Sequence, residues 1–209
     1  SENRFLSKNI FLSTNYNFIP QYLTKSFVFF YLNYLNYSEM VKVFLNEIEQ
    51  FKIFKRICLN RNAILNAAKK NKTEIIYYLL SEKDTIDKKL FKNCSSLTLI
   101  SIPSTIKSIG EKAFENCTSL KQITIPSSVK EICKESFQGC SSLIEINIPS
   151  SVESIEPSTF NRCKSLKKIS IPSTIQNIFG NAFCECSSLI EITIPSSVTD
   201  IVWAAFSSC

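Results

Sequence analysis

Six phenylalanines stand at an unbroken 23-residue step: Phe91, Phe114, Phe137, Phe160, Phe183 and Phe206. Cysteines keep the same step (Cys94, Cys117, Cys140, Cys163, Cys186, Cys209), as do leucines from Leu97 to Leu189. An Ile-x-Ile-Pro group completes each unit, from Ile100, Ile102 and Pro103 to Ile192, Ile194 and Pro195. A short period held without insertion constrains the fold severely. Each unit can bury its apolar side only against its neighbours, so residues 91–209 are predicted to stack as a solenoid.

The string LKQITIPSSV (Leu120–Val129) shows how one unit folds. Ile123 and Ile125 alternate with polar Gln122 and Thr124, the period of a half-buried strand. Pro126 has no N–H to donate and ends the strand. Ser127 and Ser128 make a polar turn, and Val129 and Ile132 point back inward. The segment Cys133–Cys140 is predicted to form a short helical or 3₁₀ turn that carries Phe137 inward. Each coil is thus a strand, a turn and a return. The apolar slots, at about 1.5–3 kcal/mol each, offset the ordering entropy only when coils stack. The last coil is incomplete at Cys209, so its edge is expected to be exposed unless further chain or a partner caps it.

This repeat, LxxIxIPSSVxxIxxxxFxxCxS, resembles the BspA-like leucine-rich repeats. The resemblance implies an α/β solenoid with a parallel sheet on its concave side, and adhesion or protein-interaction roles rather than catalysis. It departs at the family's usual glycine: Gly110 has it, but the equivalent residues are Cys133, Glu156, Phe179 and Val202. The alternation itself defines the outward strand residues. They start at Thr98, Leu99 and Ser101. Then come Lys121, Gln122 and Thr124; Ile144, Glu145 and Asn147; Lys167, Lys168 and Ser170; and Ile190, Glu191 and Thr193. Their identities vary while the core slots do not. From these rows the expected partner-binding residues are Lys121, Gln122, Thr124, Ile144, Glu145, Asn147, Lys167, Lys168, Ile190 and Glu191. A generic solvated sheet face is the competing reading, because scattered exposed apolar residues are ordinary.

The first ninety residues differ in kind. They hold 14 Lys/Arg against 8 Asp/Glu, whereas residues 91–209 hold 10 of each, so the net charge of +6 lies wholly outside the repeats. The lysines are scattered, with Lys69, Lys70 and Lys72 the densest group, as expected for a solvated helical face rather than a nucleic-acid patch. The string NAILNAAKKNKTEIIYYLL (Asn62–Leu80) resembles the paired helices of an ankyrin repeat. Leu65, Ala67 and Ala68 would line one helix, and Ile75, Ile76, Leu79 and Leu80 the other. Asn71 takes the place of the usual glycine between them, since Asn tolerates a left-handed backbone. Tyr37–Leu45 is a fainter echo 35 residues earlier. A helical cap over the first coil is the other reading. The expected organisation is a helical segment 1–80, a charged linker 81–90 and the solenoid 91–209.

Catalytic chemistry is not expected. The chain has no histidine and only three glycines, so a histidine base and a glycine-rich phosphate loop are both excluded. No Cys-x-x-Cys occurs, and no metal or cofactor is expected. The ladder cysteines are read as buried free thiols acting as small hydrophobes, the alternative being bridges between adjacent coils. The longest wholly apolar run, Phe27–Leu32, is six residues, far short of the roughly 20 that span a bilayer, and no signal peptide is recognised. A cytoplasmic setting is therefore favoured, with cell-surface display the alternative. Sequons at Asn36, Asn71, Asn93 and Asn116 would carry glycans in the second case. The expected partner is a protein, not nucleic acid or membrane, bound by a monomer or by a solenoid that further chain caps.

Overall fold

The computed structural model describes residues 61–209. Two helices come first, α1 (Arg61–Lys69) and α2 (Thr73–Ser81). Three-residue strands follow at the Ile-x-Ile groups: β2 (Leu99–Ser101), β4 (Gln122–Thr124), β6 (Glu145–Asn147) and β8 (Lys168–Ser170). Between them run two-residue strands: β1 (Thr85–Ile86), β3 (Ser108–Ile109), β5 (Glu131–Ile132), β7 (Ser154–Ile155), β9 (Asn177–Ile178) and β10 (Asp200–Ile201). All recorded pairings are parallel and offset by one repeat, as in Ile100 with Ile123 and Ile146 with Ile169. The sequence-predicted parallel solenoid is therefore present. The short strands form a second ladder, β1-β3-β5 and β7-β9-β10, where a plain return was expected.

The interior is one continuous apolar column. Phe91, Phe114, Phe137, Phe160 and Phe183 are wholly or almost wholly buried. With Phe206 they form a single stack, the ring centroids 5.0–5.6 Å apart and the planes within 13° of parallel. Stacked pairs of this kind contribute about 0.5–1.5 kcal/mol beyond the area they bury. The backbone beside each ring is bonded to the next coil at alternate residues. The amides of Lys112, Phe114 and Asn116, for example, donate to the carbonyls of Lys134, Ser136 and Gln138 at 2.7–3.2 Å.

Two left-handed residues flank each ring and aim those amides along the solenoid axis. They are Lys89 and Asn93 around Phe91, Lys112 and Asn116 around Phe114, and Glu135 and Gly139 around Phe137. The pattern continues through Ser158 and Arg162, then Asn181 and Glu185, to Ala204 and Ser208. The arc is thus a chain of tight turns closed by bonds between residues three apart, as in Ala113 to Gly110 and Cys117 to Phe114, the 3₁₀ form of the expected turn rather than an α-helical one. The left-handed positions also differ from the Gly110 position that the repeat pattern drew attention to. Gly110 answers to a different need: a Cβ there would lie 2.7 Å from the Ile86 carbonyl oxygen.

The cysteines do more than fill space. The Sγ atoms of Cys117, Cys140, Cys163, Cys186 and Cys209 each donate to the carbonyl of the phenylalanine 26 residues earlier, at 3.1–3.3 Å. The same carbonyls of Phe91 to Phe183 also accept the amide three residues on, as in Cys117 to Phe114 at 3.1 Å. A thiol suits this slot because it is apolar enough for burial yet carries a weak donor for the carbonyl's second lone pair. The turn hydroxyls are equally specific. Ser128, Thr174 and Ser197 donate to the Ile106, Val152 and Ile175 carbonyls at 2.7–2.8 Å, and Ser151 to that of Val129.

The helix pair belongs to the same compact unit as the coils. Asn71 is left-handed, at φ 51°, as expected of a turn between the helices. Ile64, not Leu65, is the fully buried residue of α1, with Ala67 and Ala68 beside it; Ile75, Ile76, Leu79 and Leu80 line α2. The turn is tied to the first coil, since the Asn71 amide nitrogen donates to Thr98 Oγ1 at 2.8 Å and Asn71 Oδ1 accepts the Thr98 amide at 3.0 Å. The echo at Tyr37–Leu45 lies outside the described residues. Residues 81–90 are not a bare linker: Thr85–Ile86 pairs with β3, and Ile86 and Leu90 are fully buried. Their charges lie between slots that the repeat already fills.

Two tests follow from the core. Ser136 is completely buried and its hydroxyl has no partner, while alanine stands at the equivalent positions 113, 182 and 205. S136A should raise unfolding stability by about 1 kcal/mol in urea titrations, since an unmet buried hydroxyl costs about 1–3 kcal/mol. The second test concerns pH. Burial pushes the Cys140 and Cys163 thiols well up and that of Cys186 to about 12. Unfolded thiols ionise near 9, whereas the folded ones stay protonated. Their contribution is whole below pH 9 and is lost as pH rises, for Cys186 from about 9 to about 12. Unfolding free energy should therefore fall above pH 9, by up to about 1.4 kcal/mol per unit for each such thiol. A flat stability profile between pH 9 and 10.5 would be inconsistent with the buried ladder.

Candidate functional site

Every residue predicted to face outward from the Ile-x-Ile strands of the later coils does so. Lys121, Gln122 and Thr124 are exposed, as are Ile144, Glu145, Asn147, Lys167, Lys168, Ile190 and Glu191. Pleating causes this for Gln122, Thr124, Glu145, Asn147 and Lys168, which flank the inward Ile123, Ile146 and Ile169. Lys121, Ile144 and Lys167 precede the strands, and the last Ile-x-Ile group, beside Ile190 and Glu191, forms no strand where one was expected. The register places Glu145 beside Lys168 and Asn147 beside Ser170 on β6 and β8. By the 23-residue step, Ile190 and Glu191 follow Lys167 and Lys168 on the next coil. Ile190 is 93% exposed, the most exposed large apolar side chain among the described residues. The first row differs. Thr98 is held by Asn71, so the turn between the helices closes that end of the face.

The electrostatics divide the coils into two sides. On the turns around the phenylalanines, charges pair from one coil to the next: Lys88–Glu111 at 2.7 Å, Lys92–Glu115 at 2.7 Å, Lys112–Glu135 at 3.2 Å and Arg162–Glu185 at 3.1 Å. The bond from Lys88 holds the Glu111 carboxyl below its ordinary range, and the bond to Glu135 raises the Lys112 ammonium. Opposite signs 23 residues apart would have revealed these pairs in the sequence. On the strand face, by contrast, Lys121, Glu145, Lys167, Lys168 and Glu191 make no ion pair with any described residue within 4.0 Å. Adjacency in the register has not brought Glu145 and Lys168 together.

A second feature was not foreseen. The stretch 121–132 stacks on 144–155 without strand pairing, since β4 and β6, like β5 and β7, belong to separate sheets. A shallow open groove of about 280 Å³ lies there, lined by Lys130, Glu131, Ile132, Ser151, Val152, Glu153 and Ser154. It gathers no set of converging donors. Among the described residues no three His, Cys, Asp or Glu side chains come together to hold a metal ion, and no helix is long and apolar enough to cross a membrane.

The repeat pattern described as a BspA type leucine rich repeat region matches residues 84–209 in six copies. No curated protein matches the chain. Solved structures do. A leucine-rich repeat protein from Bacteroides ovatus is 39% identical over 50% of this chain and 30% of its own, with a TM-score of 0.49. The leucine rich repeat protein of T. pallidum is 27% identical over 60% of this chain and 69% of its own, with a TM-score of 0.50. A leucine rich cell surface protein from Faecalibacterium prausnitzii is 32% identical over 60% of this chain and 40% of its own, at 0.49. This chain thus spans less than half the length of the Bacteroides and Faecalibacterium proteins.

Proposed function

Since the chain belongs to the BspA-type leucine-rich repeat family, we propose that it is a non-enzymatic protein-interaction module whose exposed strand face holds a protein partner. One observation carries the reading: among the described residues the five charges of that face make no ion pair, while four oppositely charged pairs on the turns around the phenylalanines are joined coil to coil. Paired surface charges are already satisfied and have little to offer a ligand. Unpaired ones, held on stacked coils, can complement a partner's charges at little cost in ordering entropy. The two exposed isoleucines, Ile144 and Ile190, add apolar area between them. The absence of histidine from the sequence weighs in the same direction.

Display on a cell surface is the other role considered from the sequence, with glycans at Asn71 or Asn116 as its marker. Both side-chain amide nitrogens are engaged in the fold, Asn71 with Thr98 and Asn116 with Asn93. A glycan replaces one N–H of the side-chain amide and leaves the other, so neither hydrogen bond rules out glycosylation there.

The test is a triple substitution, K121A/E145A/K168A. All three side chains are exposed, so the melting temperature should stay within a degree or two of wild type. Proteins retained by immobilised wild type should be lost from the variant when both are compared by quantitative mass spectrometry. Equal retention on the two surfaces would contradict the assignment of this face.

A further inference from the structure

We propose that the strand face docks on the same face of a second copy of this chain, about a two-fold axis parallel to the strands and lying between β6 and β8. The inference rests on the interaction-module reading and names its partner. Its basis is the order of charges along the solenoid. Row by row the face reads Lys121–Gln122, Ile144–Glu145, Lys167–Lys168, Ile190–Glu191: basic, acidic, basic, acidic. An alternating series of even length becomes its own complement when reversed. Isologous dimers require that property, because one patch must match itself.

The match holds position by position. A two-fold along the strands reverses the order of rows but keeps each residue's place within its row. Glu145 then faces Lys168 of the second copy, twice over, and Gln122 faces Glu191. At the other outward position Lys167 lays its aliphatic stem over Ile144, and Lys121 does the same over Ile190, covering the two exposed isoleucines. No like charges meet. The alternative axis, along the solenoid, sets each row against itself and brings Lys167 and Lys168 onto their own copies. A two-fold through β6 sets Lys121 against Lys167. Only axes between rows avoid repulsion, and the one between β6 and β8 engages all four charged rows. The first row, closed by Asn71, lies outside the contact. The dimer stands against the sequence expectation of a monomer or of a solenoid capped by further chain.

The experiment is sedimentation of the 209-residue chain across a concentration series, at low and high salt, for wild type, E145K, K168E, their equimolar mixture and the double variant E145K/K168E. Wild type should dimerise, more weakly as salt rises. Each single variant places two like-charge contacts in the interface and should weaken dimerisation about tenfold or more. The mixture should recover it, because a Lys at 145 in one copy meets a Glu at 168 in the other. The double variant should recover it alone, and it keeps opposite charges at the two register-adjacent positions of each chain, which controls for any effect of the single changes on folding. A wild type that stays monomeric to millimolar concentration overturns the second-copy assignment, as do single variants that dimerise normally or a mixture that does not. None of these results bears on a foreign partner, which the triple variant of the preceding section decides separately.

Discussion

Everything in the described part of this protein depends on how one aromatic ring per coil is held. Each phenylalanine from Phe91 to Phe183 sits between two left-handed residues, and its own amide donates to the next coil. Its carbonyl takes an amide from its own coil and a thiol from the following one. The ring stacks on its neighbours about 5 Å away on either side. Backbone bonding and apolar burial are therefore coupled at a single residue, repeated every 23 positions. A coil that slipped by one residue would lose both together, and this is why the period tolerates no insertion from Phe91 to Phe206. The continuity is visible where the strand ladders falter. Between residues 121–132 and 144–155 both ladders lapse, yet the amides of Glu135, Phe137 and Gly139 still bond to Pro157, Thr159 and Asn161.

How much of this could be seen in the sequence follows from which positions face the core. The Phe, Cys, Leu and Ile slots were legible because burial fixes their chemistry, and the outward strand residues were legible because Ile123 and Ile146 fix their neighbours by alternation. The left-handed pair was not. It is filled by Lys, Glu, Ser, Asn, Arg and Ala as well as Gly139, since these residues face solvent and the turn asks only for a tolerable φ. Strain of about 1–3 kcal/mol per site is borne by the surrounding hydrogen bonds rather than relieved by glycine. The second ladder was hidden for another reason, since two residues are too few to show a period. The start of the solenoid was mistaken because charges crowd it, although stepping back 23 residues from Ile109 and Ala113 lands on Ile86 and Leu90, both fully buried.

The two sides of the coils divide the work between them. The phenylalanine arc is held from within by ring stack, thiol bonds and coil-to-coil ion pairs, the buried Ser136 hydroxyl and Asn161 Oδ1 being the polar atoms left unmet. The strand face leaves its charges without ion pairs among the described residues and its isoleucines exposed, and under the proposal above these are the groups that meet a partner. The helix pair bounds this face at one end through Asn71 and Thr98. Rigidity and recognition thus come from different positions of the same 23-residue unit. The outward rows can change without disturbing the core, which is the property a binding scaffold requires.

Amide hydrogen exchange is the most direct test of the claim that the phenylalanine arc holds the solenoid together. The amides of Phe114, Phe137 and Phe160 should be the slowest to exchange in the molecule, opening only with global unfolding. They should outlast the strand amides of residues 145–147, beside the lapse in the ladders. Rapid exchange at the phenylalanine amides, with protection confined to the Ile-x-Ile strands, would contradict the account.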